Sequence, residues 1–433
     1  MAKLNLKDML LDKVNSNSFR AYTYFTISNL IFVFSGLVIH FFLGKYLGPE
    51  SYGVYSIVII AMSTLNLFLT SGLPNAASKF ISKYKENFFY IRRYSIKTQI
   101  IFSLMLMLTY FLSAPLLARY IFHDASLTNL FRISSLAFPF YGVFWLFLYF
   151  YNGLHLFKKQ ALLMNIFSFV RIILIVSMTL YFKVLGSLIG YILGPLLMIL
   201  LLFFVDKKML NKEKVIHEQS TVKQFENKDL LRFAFPVVMF TVLYQLFINI
   251  DIFMIKSLTN DNLLTGLYNA VVTIGRIPYY LFSGGTLLFL PFLSSYITNK
   301  NFVAVKKFIK LVLKWNSIFI AFSIITIFIL GGYLIKFLYS VEYIPAEVTL
   351  KIFIFGASFL LFFYIISSIF NSIDKEKLSV KLVIFGVILN IILNYFLIPL
   401  YGINGAAIST TISGFVIMIL SIFFLYRSIK NLN

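Results

Sequence analysis

Residues 161–182 read ALLMNIFSFVRIILIVSMTLYF and residues 184–205 read VLGSLIGYILGPLLMILLLFFV, with Lys183 alone between them. A helix rises 1.5 Å per residue and needs about 20 apolar residues to cross the hydrocarbon layer of a bilayer. Both stretches meet that requirement, and between them they carry one charge, Arg171. The pattern recurs in both directions. Spans are expected near 21–43, 54–76, 98–118 and 131–152 before this pair, and near 231–256, 267–297, 311–332, 350–371, 378–400 and 403–427 after it. The polar stretch Asp206–Asp229 separates the two sets. The expected fold is an all-α membrane protein of about twelve transmembrane helices in two six-helix lobes around a central cavity. The lobes would cover 1–205 and 230–433, joined by a cytoplasmic linker over 206–229.

Composition agrees. Of 433 residues, 60% are hydrophobic and only 12% charged, with a mean hydropathy of +0.88. A soluble domain carries about twice that charged share. The formal charge of +22 would suggest nucleic acid in a soluble protein. Here the Lys and Arg fall between spans, where they set orientation, and no nucleic-acid partner is expected. If the N-terminus is inside, 29 of the 38 Lys and Arg lie in inner segments and 7 in outer ones, and Arg171 and Arg276 fall within spans. That bias places both termini in the cytoplasm of a multi-pass protein of the cytoplasmic membrane. The first twenty residues are amphipathic and suit the membrane interface, and no removable signal peptide is expected.

The two halves repeat. Asn152 and Asn371, Arg171 and Asn390, and Gly186 and Gly405 are each 219 residues apart, and Gly53-Val54-Tyr55 matches Gly266-Leu267-Tyr268 at 213. Six spans per half give both halves the same orientation, related by an axis along the membrane normal.

Enzyme motifs are missing. There is no phosphate-binding G-x-x-x-x-G-K-[ST], no H-E-x-x-H, no Asp-x-Asp and no cysteine, so neither catalysis nor a metal or cofactor is expected. The candidate functional groups are those inside spans, where ionisable side chains are costly. Arg171 stands mid-span with Asn165 and Ser168 on its N-terminal side. Asn269, Thr273, Arg276 and Tyr280 follow i, i+4, i+7, i+11 spacing, a polar stripe suited to an aqueous cavity. Asp251 is the only carboxylate in any expected span, either a structural partner for Arg276 or Lys256 or a proton or sodium site for coupling. Asn29, Gly36 and His40 share a face of the first span, as a cavity wall or as close helix packing. Two arginines and one carboxylate in a membrane cavity favour an anionic ligand, because guanidinium pairs well with phosphate or carboxylate.

One further signal is a resemblance. Leu43-Gly44-Lys45-Tyr46-Leu47-Gly48-Pro49-Glu50-Ser51-Tyr52-Gly53-Val54-Tyr55-Ser56 resembles the opening signature of the Wzx-type polysaccharide flippases, within the multidrug/oligosaccharidyl-lipid/polysaccharide exporter superfamily. Asp251, Gly266-Leu267-Tyr268-Asn269-Ala270, Pro278 and Ile398-Pro399-Leu400-Tyr401-Gly402-Ile403-Asn404-Gly405-Ala406-Ala407 continue it in order. The resemblance implies a two-lobed transporter that moves a polyprenyl-(pyro)phosphate-linked oligosaccharide between leaflets by alternating access. Its partners would be that lipid-linked glycan, membrane lipid and other polysaccharide assembly proteins. On this reading Arg171 and Arg276 would contact the diphosphate, Asn29, Asn269, Thr273 and Tyr280 would line the cavity, and Asp251 would couple or brace. The alternatives are a drug or cation exporter of the same superfamily, for which one intramembrane acid is few, and a membrane enzyme of glycan assembly.

Overall fold

The computed structural model describes residues 17–210, 227–281, 293, 302–373 and 375–430, and among these residues there is no strand. Its helices are α1 (Asn17–Leu67), α2 (Leu73–Lys83), α3 (Phe88–Leu116), α4 (Leu127–Ser135), α5 (Ala137–Gly153), α6 (Phe157–Leu210), α7 (Asn227–Thr259), α8 (Asn262–Gly275), α9 (Phe302–Leu338), α10 (Glu347–Ser372), α11 (Glu376–Tyr401) and α12 (Ile403–Lys430). Nine described helical stretches are long and apolar enough to cross a membrane. Two of them each hold a pair of spans. In α1 the helix breaks at Gly48 (φ 72°, ψ 167°) ahead of Pro49, and in α6 it breaks at Lys183 (φ 51°, ψ −130°). Helix α8 supplies part of the remaining span; residues 282–292 and 294–297 of its expected range lie outside the described residues, as does 211–226 of the expected linker. Twelve helices in two lobes result. The expected span 131–152 differs, because the chain interrupts the helix at Leu136, between α4 and α5.

The repeat holds at atomic detail. Lys183 and Gly402 are 219 residues apart and share one backbone conformation, φ 51°, ψ −130° against φ 56°, ψ −134°. Three residues on, a Cβ at Gly186 would lie 1.9 Å from the Met178 carbonyl oxygen, and one at Gly405 would lie 2.1 Å from that of Leu397. Both halves therefore turn into their last helix through the same tight corner, which only a missing Cβ permits.

Loops expected on the same side bond one another. The expected outer loops meet at one end, where Tyr46 Oη donates to the Leu180 carbonyl (3.2 Å), Tyr343 Oη donates to that of Gly44 (2.9 Å) and Lys256 pairs with Asp124. The expected inner loops meet at the other. There Ser78 Oγ donates to Asn152 Oδ1 (2.9 Å), Ser82 bonds His155 (3.0 Å) and Lys375 donates to Ser428 (3.0 Å). Within spans many hydroxyls donate to the carbonyl one turn back, as Thr179 does to Ile175 (2.6 Å), so these polar groups stay satisfied without water.

Candidate functional site

The lobes touch along the repeat axis. Gly53 and Gly266, equivalent by the 213-residue offset, face each other so closely that a Cβ on Gly53 would lie 1.9 Å from the Asn262 carbonyl oxygen and one on Gly266 1.8 Å from that of Pro49. One turn further, Asn269 Nδ2 donates to Ser56 Oγ at 2.6 Å, and these two residues are again 213 apart. The seam is flanked by a chain of rings from both lobes: His40 Nδ1 with Tyr52 Oη (2.9 Å), then Tyr52 Oη with Tyr339 Oη (3.3 Å). Across it, Lys256 Nζ reaches Asp124 Oδ2 at 3.0 Å. Asn269 and Thr273, expected to line a cavity, are instead buried at or beside this seam, with Thr273 Oγ1 donating to the Asn269 carbonyl (2.8 Å). At the opposite end α2 rests on the start of α7, with Lys79 Nζ 3.8 Å from the centre of the Phe233 ring.

The expected stripe is kinked at Arg276. Helix is interrupted at Arg276 alone, which takes φ −93°, ψ −2° two residues before Pro278, and resumes over 277–281 at an angle, since Pro278 has no N–H to give and its ring crowds the preceding turn. The break turns Arg276 toward α7, where its Nη1 donates to Asn249 Oδ1 at 3.0 Å. The guanidinium also borders a small pocket, with room for about one water, lined by Tyr244, Ile248, Arg276, Tyr279, Ala357 and Leu360. Tyr280 follows one turn later, its ring 5.6 Å from that of Tyr279.

Asp251 does not form the ion pairs considered for it. Asn249 and Asp251 are two positions apart and face opposite sides of α7, so Arg276 is held on one side and the carboxylate lies on the other. Lys256 is drawn to Asp124 and to Asn260 (3.3 Å). Asp251 accepts instead from Tyr268 Oη (2.6 Å), Asn394 Nδ2 (2.7 Å) and Thr410 Oγ1. Asn394 Nδ2 also reaches Asn390 Oδ1 (2.9 Å), while Asn394 Oδ1 is buried with no partner. A carboxylate ringed by neutral donors, beside an idle acceptor, can take up a cation without breaking a salt bridge.

Arg171 is committed elsewhere. Its Nε donates to Ser35 Oγ at 2.9 Å, its Nη2 donates to the Phe32 carbonyl and to Ser35, and its guanidinium carbon lies 3.8 Å from the centre of the Phe32 ring. A Cβ at Gly36 would lie 3.3 Å from Nη2, so the first-span face reads as close packing around the arginine. Asn29 turns its Nδ2 back to the Phe25 carbonyl (2.9 Å). Arg171 and Arg276 share no hydrogen-bond partner among the described residues. Sequence reasoning missed Ser35 and Phe32 as the clasp of Arg171 and Tyr244 and Tyr279 as the walls of the pocket, since no local pattern marks them.

The sequence model of the polysaccharide biosynthesis protein family matches residues 18–297. The chain belongs to that family. Among relatives of the family member, an uncharacterized membrane protein of Methanocaldococcus jannaschii, MJ1375, is 27% identical over 429 residues, covering 94% of this chain and 98% of the relative. A second from the same organism, MJ1068, is 31% identical over 163 residues, 37% of this chain and 32% of that one. Of solved structures, a MOP superfamily transporter from Pyrococcus furiosus superposes with a TM-score of 0.71 at 17% identity, over 95% of this chain and 96% of that one. A multidrug resistance MATE family transporter in its inward-facing conformation gives 0.72 at 16%, over 94% and 98%. The polysaccharide biosynthesis protein described above therefore has the fold of MOP superfamily transporters. Three of its buried charges are held by neutral groups: the Arg171 guanidinium by α1, the Arg276 guanidinium by Asn249, and the Asp251 carboxylate by three donors.

Proposed function

We propose that this chain transports a polyprenyl-(pyro)phosphate-linked oligosaccharide across the cytoplasmic membrane by alternating access, with both termini in the cytoplasm and the Gly53–Gly266 seam closing the outer end. The observation that carries this reading is Arg276. It is buried in a span, has one neutral hydrogen-bond partner among the described residues, and borders a small pocket. A guanidinium so placed is costly unless an anion visits it. Asp251 is the coupling acid in this reading, taking a proton or sodium ion from one side and releasing it to the other. The glycan would cross in the space between the lobes, with Asn29 and Tyr280 near its path.

The test is transport itself. Proteoliposomes loaded with a short-chain polyprenyl-diphosphate oligosaccharide report movement as exposure of the glycan to an external glycosidase. Wild-type protein should accelerate that exposure, and Arg276→Ala should abolish it while the protein still inserts and purifies as a single species. Full transport by Arg276→Ala would sink the proposal.

A further inference from the structure

Helix α9 fixes its own depth in the bilayer. Its far end leads to Tyr339 and Tyr343, which bond Tyr52 and Gly44 beside the seam, so its first turns lie at the opposite end of the molecule. The helix has 37 residues, a length of about 55 Å, well beyond the hydrocarbon layer of about 30 Å. Two exposed aromatics mark where that layer falls. Trp315 (59% exposed) and Tyr333 (76%) are separated by about 27 Å of helical rise, and no residue between them is charged. Trp and Tyr favour the two edges of a bilayer. The turns before Trp315 therefore lie in the head-group layer and just beyond it.

Those turns hold Lys306, Lys307, Lys310 and Lys314, all exposed. Lys307, Lys310 and Lys314 follow i, i+3, i+7 spacing and share one face. Continued at helical spacing, that face reads Ile318, Phe322, Ile325 and Ile329, all exposed, while Val305, Ile309, Val312 and Asn316 are buried on the other side. The lysines thus crown the lipid-facing stripe of the helix. Like charges one turn apart repel, and on a water-facing helix interleaved acids ordinarily offset that repulsion. Helix α9 has no acidic residue along its length, and no carboxylate among the described residues pairs with Lys307, Lys310 or Lys314. Phosphates at the same depth would supply the missing charge. The repeat sharpens the point. At the 213-residue offset Lys306 and Lys310 correspond to Arg93 and Lys97 of α3, whereas Lys307 and Lys314 correspond to Tyr94 and Ile101. The C-terminal lobe has added charge to this face alone.

We infer that this face of α9 binds lipids whose head groups carry net negative charge, with Lys307, Lys310 and Lys314 on the head group and Trp315 beside the glycerol. The inference goes beyond the transport reading and does not depend on what the protein carries.

Trp315 is a reporter already in place. The other tryptophan, Trp145, packs among Phe32, Phe144 and Phe167, so Trp145→Phe leaves a single emitter at the site. Full-length Trp145→Phe protein is reconstituted in mixed phosphatidylcholine and phosphatidylglycerol vesicles, with one lipid or the other brominated near the glycerol end of its chains. Bromine quenches on contact, so the two quenching curves give the relative affinity of the lipids at α9. Phosphatidylglycerol should be preferred by about ten- to hundredfold, since each lysine near an anionic surface contributes about fivefold. Lys307→Gln, Lys310→Gln and Lys314→Gln together should bring the ratio near one. Lys85→Gln, Lys377→Gln and Lys381→Gln together remove the same charge from other helices at that end and should leave the ratio within about twofold. A preference that survives the three α9 substitutions would overturn the inference. An equal loss in the control triple would also overturn it, by showing a diffuse field in place of a site. Equal quenching by the two lipids would do so too, and a shift of Trp315 emission by polyglutamate in that case would give the face to an acidic protein.

Discussion

Replacing Gly266 with alanine should open the seam between the lobes. The new Cβ would sit 1.8 Å from the Pro49 carbonyl oxygen, and 3.0 Å is the closest that real Cβ atoms come, so the two backbones must part by about 1.2 Å. Neither neighbour is a flexible side chain that could swing aside. Forcing one methyl into a packed site costs about 1–3 kcal/mol, and the separation also breaks the 2.6 Å bond from Asn269 to Ser56, about 1 kcal/mol more. Together these amount to roughly 2–4 kcal/mol against the closed seam, which shifts the closed-to-open ratio about 30- to 1,000-fold. The chain has no cysteine, so one introduced thiol reports without background. Ser56→Cys places that thiol on the fully buried seam, and a membrane-impermeant maleimide added outside should react slowly with it. Adding Gly266→Ala should raise the labelling rate in proportion to the open population. Because both proteins carry Ser56→Cys, the comparison isolates the methyl. Equal labelling with and without Gly266→Ala would refute the close approach, and with it the account of a seam built from repeat-related glycines.

Other expectations follow from the same geometry. Lys183 adopts a backbone conformation that its repeat counterpart fills with Gly402, at a strain of about 1–3 kcal/mol offset by about 1 kcal/mol of glycine entropy, so Lys183→Gly should raise the thermal midpoint in detergent. A lowered midpoint would contradict the strain. Partial burial alone would push Asp124 up, but hydrogen bonds from Ser126 and Lys256 outweigh it and hold the carboxyl below the ordinary carboxylate range. Its contribution to the closed seam is thus full above about pH 4 and fades as pH falls through the lowered value. Spin labels at Lys45→Cys and Leu263→Cys should show the lobes separating in acid, and Asp124→Asn should flatten that dependence. Asp251→Asn keeps the shape but removes the charge, so the protein should fold while transport no longer responds to a proton or sodium gradient. Gradient-driven transport in this variant would remove Asp251 from coupling. Arg171→Lys cannot bridge the Phe32 carbonyl and Ser35 Oγ with one planar fork, so about 1.5–3 kcal/mol of stability should go, without any change in anion preference.

How much could be read in advance depended on the range of each interaction. Span positions followed from runs of about 20 apolar residues, because that signal is additive along the chain. The corner at Gly48-Pro49 was marked by residue type, whereas that at Lys183 was not, since a lysine sits where a glycine would be read as a turn. The α8 stripe bends for a local reason: Pro278 was visible, but the direction in which the kink turns Arg276 depends on packing against α7. The partners of Asp251 could not be read at all. Asn394 and Thr410 lie 143 and 159 residues downstream, and nothing in the neighbourhood of Asp251 specifies them. The 213-residue offset announced that Gly53 and Gly266 are equivalent, but contact between equivalents requires the repeat axis to pass between them, which only packing decides.

The same repeat shows why the two lobes are not interchangeable. Arg171 and Asn390 occupy equivalent positions, Arg171 bonding the first helix of its lobe and Asn390 bonding Thr410 and Ser413 of α12. In the N-terminal lobe that contact carries a guanidinium against a carbonyl and a hydroxyl of α1. In the C-terminal lobe the charge has moved to the other helix and changed sign, with Asp251 of α7 accepting from the Asn394 amide of α11. A guanidinium does not give up its proton in a protein, so the N-terminal contact is permanent and holds α1 in one register. A carboxylate among neutral donors can be neutralised by one small cation, so the C-terminal contact can change state. Arg276, at the end of α8, is bonded to Asn249 of α7, two residues from Asp251. Under the proposed function, one lobe would serve as the fixed frame, and the other would carry together the carboxylate proposed for coupling and the guanidinium proposed to meet an anion.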